Sequence, residues 1–493
     1  MLVTAYYVNF ELKLKKNLMK KIISIVSVIL LCLSLTAHPW KPSHYVIIDT
    51  DGGIDDMRAI CMMLASPDVR VLGITTSAGT LSAENAFTRV KSMLNSFYHE
   101  GIPVGINRNN IKVNDKFPVA IDYKWGNEQG IYADTAPNYI KVISDILENE
   151  KSNISFICLG SMNTAAGAIR DIPEFRTHVK EIVWSCKGFN DSSGFNFNID
   201  RTSSEKMLKS GIPVKTILSD SDITFYDKEF QIEIQKIASP YAKKIADFFH
   251  SEIGKEHKYS FEINDELVPL FLHYPELFRH SSSGNNSENM IDDITALKTG
   301  YIKILRGETV PRNQIIKELP LDGSFYFDDI QPFANTIIER YGVDEWYSGV
   351  IACELHRHLG VFATIGVKMG IRAREYFNTG VDEFEVVSYA GSTTPLSCMN
   401  DGLQVSTGAT PGHGLLTVKN DNPAPAAEFK YMNRIIKLSL KPELAKKISE
   451  ELKEINFVYG LDSNIYWELV RKNTIKYWRE LDRHEIFIIE LLK

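Results

Sequence analysis

Eight consecutive residues, Asp49-Thr50-Asp51-Gly52-Gly53-Ile54-Asp55-Asp56, carry four carboxylates directly after an apolar run, Tyr45-Val46-Ile47-Ile48. The run reads as a strand, and Gly52 and Gly53 permit a tight turn after it. Asp49 and Asp51 point to the same side of an extended segment. Asp55 and Asp56 fall at a helix N-terminus, where the dipole favours negative charge. That dipole cannot offset four neighbouring carboxylates. Either some of them hold protons or a cation sits among them, and a hard, oxygen-seeking ion such as Ca²⁺ or Mg²⁺ suits carboxylate ligands. An EF-hand loop needs Gly at its sixth position, where this chain has Ile54. A phosphoaspartate hydrolase pattern is broken by Gly53 at its fifth position and leaves Asp55-Asp56 unexplained. A merely solvated acidic loop fits poorly after a buried strand.

Those carboxylates need a sheet to hold them. Val69 to Thr75, Ile154 to Leu159, Ile182-Val183-Trp184 and Val214 to Leu218 are further strand candidates. Asp56 to Leu64, Ala83 to Phe97 and Thr164 to Arg170 read as helices. The alternation predicts an α/β fold with a mainly parallel open sheet flanked by helices, and such sheets bind ligands at the carboxyl ends of their strands. Ser281 to Ser287 reads as a surface loop, and Tyr301-Ile302-Lys303-Ile304-Leu305 as a strand. A boundary falls near Tyr341-Gly342. Beyond it a helix, a strand at Phe384 to Tyr389, a Gly/Thr-rich loop at Ser406 to Gly414 and a charged helical end from Pro442 predict a smaller α+β domain.

Composition narrows the function class. With 55 basic and 62 acidic residues the net charge is −7, so no global attraction to nucleic acid is expected. Lys20 and Lys21 precede a 14-residue apolar run, Ile22 to Leu35, too short for an ordinary span, and small residues end at Ala37. This reads as a signal peptide over residues 1–37, with Met19 as an alternative start, and predicts a periplasmic or extracellular protein free of the membrane after cleavage. Five cysteines remain, Cys61, Cys158, Cys186, Cys353 and Cys398; an odd number without close spacing predicts mostly free, buried thiols.

The acidic segment resembles the opening motif of the nucleoside hydrolases, Asp-x-Asp-x-x-x-Asp-Asp at a first strand end. Further stretches extend the resemblance in order: Gly73 to Gly79, Leu159-Gly160-Ser161-Met162-Asn163-Thr164, Gly194-Phe195-Asn196-Phe197-Asn198-Ile199-Asp200, Asn264-Asp265 with Pro275 to Phe278, and Leu305 to Val310, which looks like the family's late strand. The resemblance implies hydrolysis of an N-ribosidic bond of a small nucleoside. It implies Ca²⁺ held by Asp51, Asp56, Asp265 and the Leu159 carbonyl, with Asp51 also taking the proton of the attacking water. Asp55, Asn196 and Thr80 would meet the ribose, and Asp49 would support the metal ligands from behind. The family's Asn after the second-strand Gly is Thr80 here, its Glu before Phe-Asn is Gly194, and its His before the last Asp is Asn264. That His often protonates the leaving group, and Asn cannot supply a proton at neutral pH. A weakened enzyme that chiefly binds ribose or nucleosides, or a hydrolase of a non-standard riboside, therefore stands beside ordinary nucleoside hydrolysis. Tyr123 and Trp125 read as core or surface aromatics before base-pocket residues. A homo-oligomer is expected.

His356-Arg357-His358-Leu359-Gly360, the Gly-rich helix from Ile365 to Gly370, and the stretch from Ser397 to Gly414 resemble the FmdE family of formylmethanofuran dehydrogenase proteins. The resemblance points to metal binding. His356, His358 and Cys398 are candidate ligands for a transition metal such as Zn²⁺, although Gly360 and Ala409 stand where many members have Cys. The expected organisation is a signal peptide over 1–37, a nucleoside hydrolase-like domain over 38–341 and an FmdE-like domain with a helical extension over 342–493. Each resemblance covers its own contiguous stretch, so the two units are expected to fold separately.

Overall fold

The computed structural model describes residues 41–109, 111, 117–150, 152–186, 194–218, 224–256, 262–310, 315–316 and 319–493. The signal-peptide reading lies outside them. Eight strands form one sheet in the order β3-β2-β1-β4-β5-β6-β8-β7. They are β1 (His44–Thr50), β2 (Val69–Thr76), β3 (Val104–Ile106), β4 (Ile154–Cys158), β5 (Val179–Ser185), β6 (Val214–Leu218), β7 (Phe278–Ser283) and β8 (Asn286–Ile291). All neighbours run parallel except β7 against β8. The side chains of β1 alternate between two apolar layers: Val46 and Ile48 enter one core with the helix Ile54–Ala65, while Ile47 enters the other with the helix Tyr139–Asn149. Helices thus cover both faces, which is why the strands read as continuous apolar runs. The order reverses between β1 and β4, so the loops leaving them diverge and open a crevice at the carboxyl edge.

Two elements differ from the sequence expectation. Residues 301–305 belong to a helix, Ile294–Leu305, capped by Asp293. Leu297, Tyr301 and Ile304 are fully buried on one helical face, a spacing that the short window 301–305 could not reveal. The Leu305 to Val310 stretch is accordingly a helix end and a turn at Gly307, not a strand. Residues 281–287 form a β-hairpin turned at Gly284, where φ is 63°. Their polar side chains suit an edge, and pairing of β8 with β6 supplies the backbone hydrogen bonds.

The second sheet has the order β10-β9-β11-β12-β13, built from β9 (Glu385–Ser388), β10 (Leu416–Val418), β11 (Ala426–Tyr431), β12 (Arg434–Leu440) and β13 (Phe487–Leu491). It is antiparallel except for β9 with β10. The helices Val361–Phe377, Pro442–Tyr459 and Asn464–Glu480 pack over it. The helix Met399–Thr407 reaches into the stretch read as a loop from Ser406.

This half meets the large sheet at the amino edge of β2 and β3. The buried Arg70 guanidinium pairs with Glu383 and donates to the Asn378 carbonyl. Gly101 donates its N–H to Tyr376 O at 2.8 Å, and Arg372 pairs with Glu100 at 2.7 Å. His99 bridges Glu375 O and Tyr241 Oη at 2.6 and 2.7 Å. The joint therefore lies at the opposite edge from the crevice.

Candidate active site

The carboxylates sit where β1 ends. Gly52 has φ 80°, a left-handed conformation that turns the chain from strand to helix. Its N–H donates to Thr50 Oγ1 at 3.1 Å. The helix Ile54–Ala65 then presents Asp55 and Asp56 in its first turn. Thr50 Oγ1 and the Asp51 N–H both donate to Asp56 Oδ1, at 2.5 and 3.1 Å. Asp265 comes from a distant segment just before the helix Leu267–His273.

Oxygens of Asp55, Asp56 and Asp265 all lie within 4.8 Å of one another. Asp56 and Asp265 are 3 % exposed and share a hydrogen bond, and Ser185 also bonds Asp265. Burial, then the charges of Asp56 and Asp55, hold the Asp265 carboxyl well above the usual carboxylate range. Burial and Asp55 raise Asp56 likewise. Asp51, 2 % exposed, is raised well above its ordinary value by burial and by Asp56, while Thr80 bonds its carboxylate and lowers it. A crowd of oxygen-only donors in which buried Asp51, Asp56 and Asp265 resist ionisation together fits a hard divalent cation.

The sequence expectation put Asp51 among the ligands and Asp55 toward the sugar. In the structure the tight group contains Asp55, with Asp51 outside it. Asp51 lies beside the group: Leu81 N donates to its carbonyl at 3.0 Å and its side chain lies against Gly79. A Cβ on Gly79 would come 2.1 Å from Asp51 Oδ2, so this close approach needs glycine.

The other anticipated residues fall around this group. The Leu159 N–H donates to Asp49 O at 2.9 Å, which ties β4's exit to β1. The Leu159 carbonyl accepts the Asn196 side-chain amide at 2.6 Å, and the same amide reaches Ser185 O at 3.0 Å. Asn196 thus orients a carbonyl of the site instead of standing free. Asp49 is fully buried behind the cluster, accepting from Thr75 Oγ1 at 2.6 Å and Ser77 Oγ at 2.8 Å. Burial pushes it up to about 7, against hydrogen bonds from Thr75, Thr164 and Ser77 that lower it. Asn264 Nδ2 donates to Asp55 Oδ2 at 3.2 Å. Trp125 is 1 % exposed in the core, stacked on Phe248, and Tyr123 packs edge-on to both.

Sequence reasoning missed the groups that hold these carboxylates. Thr75, Ser77 and Ser185 lie at strand ends beside the site, a position that was readable. Beneath it, Arg58 and Glu266 form a fully buried ion pair, with Tyr226 Oη donating to Glu266 at 2.7 Å and Arg58 lying over the Tyr226 ring. Only the three-dimensional neighbourhood of Asp265-Glu266 exposes that network.

In the second half, His356 and His358 rings lie 4.2 Å apart, and His356 Nδ1 bonds Asp401 Oδ2 at 2.7 Å. Cys398 does not join them in any group of three mutually close ligands among the described residues. It is 8 % exposed, and burial pushes its thiol up to about 11. All five cysteines from Cys61 onward are free and buried, as expected.

Residues 46–326 match the family model described as inosine-uridine preferring nucleoside hydrolase. Residues 355–458 match that of FmdE, molybdenum formylmethanofuran dehydrogenase operon. Pyrimidine-specific ribonucleoside hydrolases RihA of Salmonella dublin and Salmonella typhi are 25% identical over 255 residues, covering 47% of this chain and 80% of each relative. Among solved structures, the purine-preferring ribonucleoside hydrolase from Gardnerella vaginalis aligns with a TM-score of 0.42 and 16% identity, over 54% of this chain and 99% of that one. The inosine-uridine preferring nucleoside hydrolase from Bacillus anthracis aligns at 0.44 and 13%, over 54% and 99%.

Proposed function

This chain belongs to the inosine-uridine preferring nucleoside hydrolase family, and from that premise we propose that it hydrolyses the N-ribosidic bond of a nucleoside with Ca²⁺ at its acidic cluster, releasing ribose and a base. The observation that carries the reading is the close group of half-buried Asp55 with buried Asp56 and Asp265, with Asp51 beside it, at the crevice between β1 and β4. Asp55, Asp56, Asp265 and the Leu159 carbonyl would hold the ion, with Asp51 at its margin. Bound there, Ca²⁺ would supply the positive charge that orients the sugar hydroxyls and acidifies water.

The chain's own groups do the rest. Asp51, beside Asp56 at the edge of the group, is the carboxylate placed to accept the proton of the attacking water. The remaining carboxylates stabilise the positive charge that develops on the sugar ring in an oxocarbenium-like transition state. Half-buried Asp55 and Thr80 are the polar groups on the open side, within reach of sugar hydroxyls. Asn196 fixes the Leu159 carbonyl. Asn264 binds Asp55 and has no proton to give, so departure of the base relies on the base itself or on another acid. A specific observation thus favours a second reading, a nucleoside-binding protein with little turnover: the position suited to an acid holds an amide committed to Asp55.

The test is to incubate the purified protein with Ca²⁺ and a panel of purine, pyrimidine and non-standard ribosides, assaying free ribose. Release from any member excludes the binding-only reading. Tight binding with no release from every member sinks the hydrolase reading. We further propose domains at 38–341 and 342–493, with export through the N-terminal segment.

A further inference from the structure

We propose that His44, Asp68 and His273 form a second metal site, for a borderline transition-metal ion of the Zn²⁺ class, at the amino edge of the large sheet. His44 opens β1, Asp68 immediately precedes β2, and His273 ends the helix Leu267–His273. One ligand atom from each lies within 4.8 Å of the other two. His44 Nε2 faces Asp68 Oδ2 at 4.0 Å, too far for a hydrogen bond. Two bonds of about 2 Å at the tetrahedral angle place ligand atoms roughly 3.3 Å apart, so a small inward movement of the two side chains seats both on one zinc ion.

Two further observations point to a ligand. Buried His273 Nε2 has no hydrogen-bond partner among the described residues, an unusual state for a buried ring nitrogen. Asp68 is already aimed, because Ser43 N–H donates to its Oδ1 at 2.8 Å and leaves Oδ2 toward His44. Lys180 and Lys215, whose charges reach His44, are both turned to Glu181, at 3.7 and 2.6 Å.

Two imidazoles and one carboxylate make an N₂O set, distinct in softness from the oxygen-only cluster at the other end of β1. That cluster is about 20 Å away, at about 3.3 Å per strand residue. The site joins three segments remote in sequence. One of them is the helix that carries Asp265 just before its start, so the ion would act as a staple on the helix that completes the acidic cluster.

The test uses full-length, tag-free protein stripped with a chelator, then saturated with Ca²⁺ to occupy the acidic cluster, and titrated with Zn²⁺ by calorimetry and with Co²⁺ by visible absorption. A His356→Gln/His358→Gln background removes the other histidine pair. In that background we expect one Zn²⁺ equivalent, a raised Tm on binding, and the absorption of low-coordinate Co²⁺. His273→Gln and Asp68→Asn, each added to it, should weaken Zn²⁺ by more than the roughly 10–100-fold that losing an outer hydrogen-bond partner costs, while Ca²⁺ affinity is kept. Retained Ca²⁺ affinity also reports that these variants fold. Absence of Zn²⁺ binding in the background, or unchanged affinity in both added variants, overturns the proposal.

Discussion

Asn264 donates its side-chain amide to Asp55 Oδ2 at 3.2 Å, joining two segments 209 residues apart. The amide holds the carboxylate but offers no acid. An imidazole at that position would lie beside the same carboxylate, whose charge favours the protonated ring. Asn264→His is therefore expected to raise turnover on ordinary nucleosides by about tenfold or more, since a positioned acid contributes roughly 10²–10⁴-fold. The pH profile of ribose release should gain a limb near neutrality. A folded variant that binds nucleoside without any gain would place the acid elsewhere.

Asp265 shares a hydrogen bond with Asp56 inside a crowd of carboxylates. Asp265→Asn should abolish Ca²⁺ binding by calorimetry. Without Ca²⁺ the variant should melt at or above the wild-type Tm, because one buried repulsion is gone. With Ca²⁺ at 100 times Kd the wild type should gain about 2.7 kcal/mol and the variant nothing.

Gly79 leaves the space that Asp51 fills, 2.1 Å from where a Cβ would stand. Gly79→Ala should displace Asp51 and lower kcat/KM about 100-fold, as a misplacement near 1 Å does. Circular dichroism should remain that of the wild type.

Arg70 is buried against Glu383 across the joint between the two halves. Arg70→Ala should cost about 3–5 kcal/mol in urea unfolding, because it leaves a carboxylate uncompensated. Adding Glu383→Ala should recover part of that loss. A chain ending near Gly342 would expose Arg70, His99 and Gly101 together; it should be less stable than the full chain, yet keep Ca²⁺ affinity if it folds, since the joint lies at the other edge of the sheet. Equal stability of the truncated and full chains would mean that the joint contributes little.

His99 is buried between Tyr241 Oη and Glu375 O, and burial pushes its imidazole down to about 4 from 6.5. The folded state holds the neutral ring, so the unfolded chain binds more protons between these values. The contribution is complete above about pH 6.5 and is lost as pH falls toward 4, on the order of 3 kcal/mol at most. His99→Gln should flatten the fall of Tm over this window.

The acidic cluster was legible because its signal is local. A buried strand, a glycine turn and a helix start are set by residues 45–64 alone, and Asp49 to Asp56 are carried with them. The cysteines were legible for a similar reason, since an odd, widely spaced set has no short-range pairing. The helix Ile294–Leu305 was misread from a five-residue window, because its face is defined by Leu297, Tyr301 and Ile304 together.

What the chain's linear order did not contain was which carboxylates converge. Asp265 meets Asp55 and Asp56 from a segment more than two hundred residues away along the chain. The Asn196 contact with Leu159, the Arg70–Glu383 pair and the meeting of His44, Asp68 and His273 belong to the same class. Sequence determined the elements and their donors, because backbone preference and hydrophobic period act over a few residues. Only packing decided the side-chain partners, because helices and loops from distant segments must share the two edges of one sheet, and the direction of each side chain there is fixed by its neighbours in space.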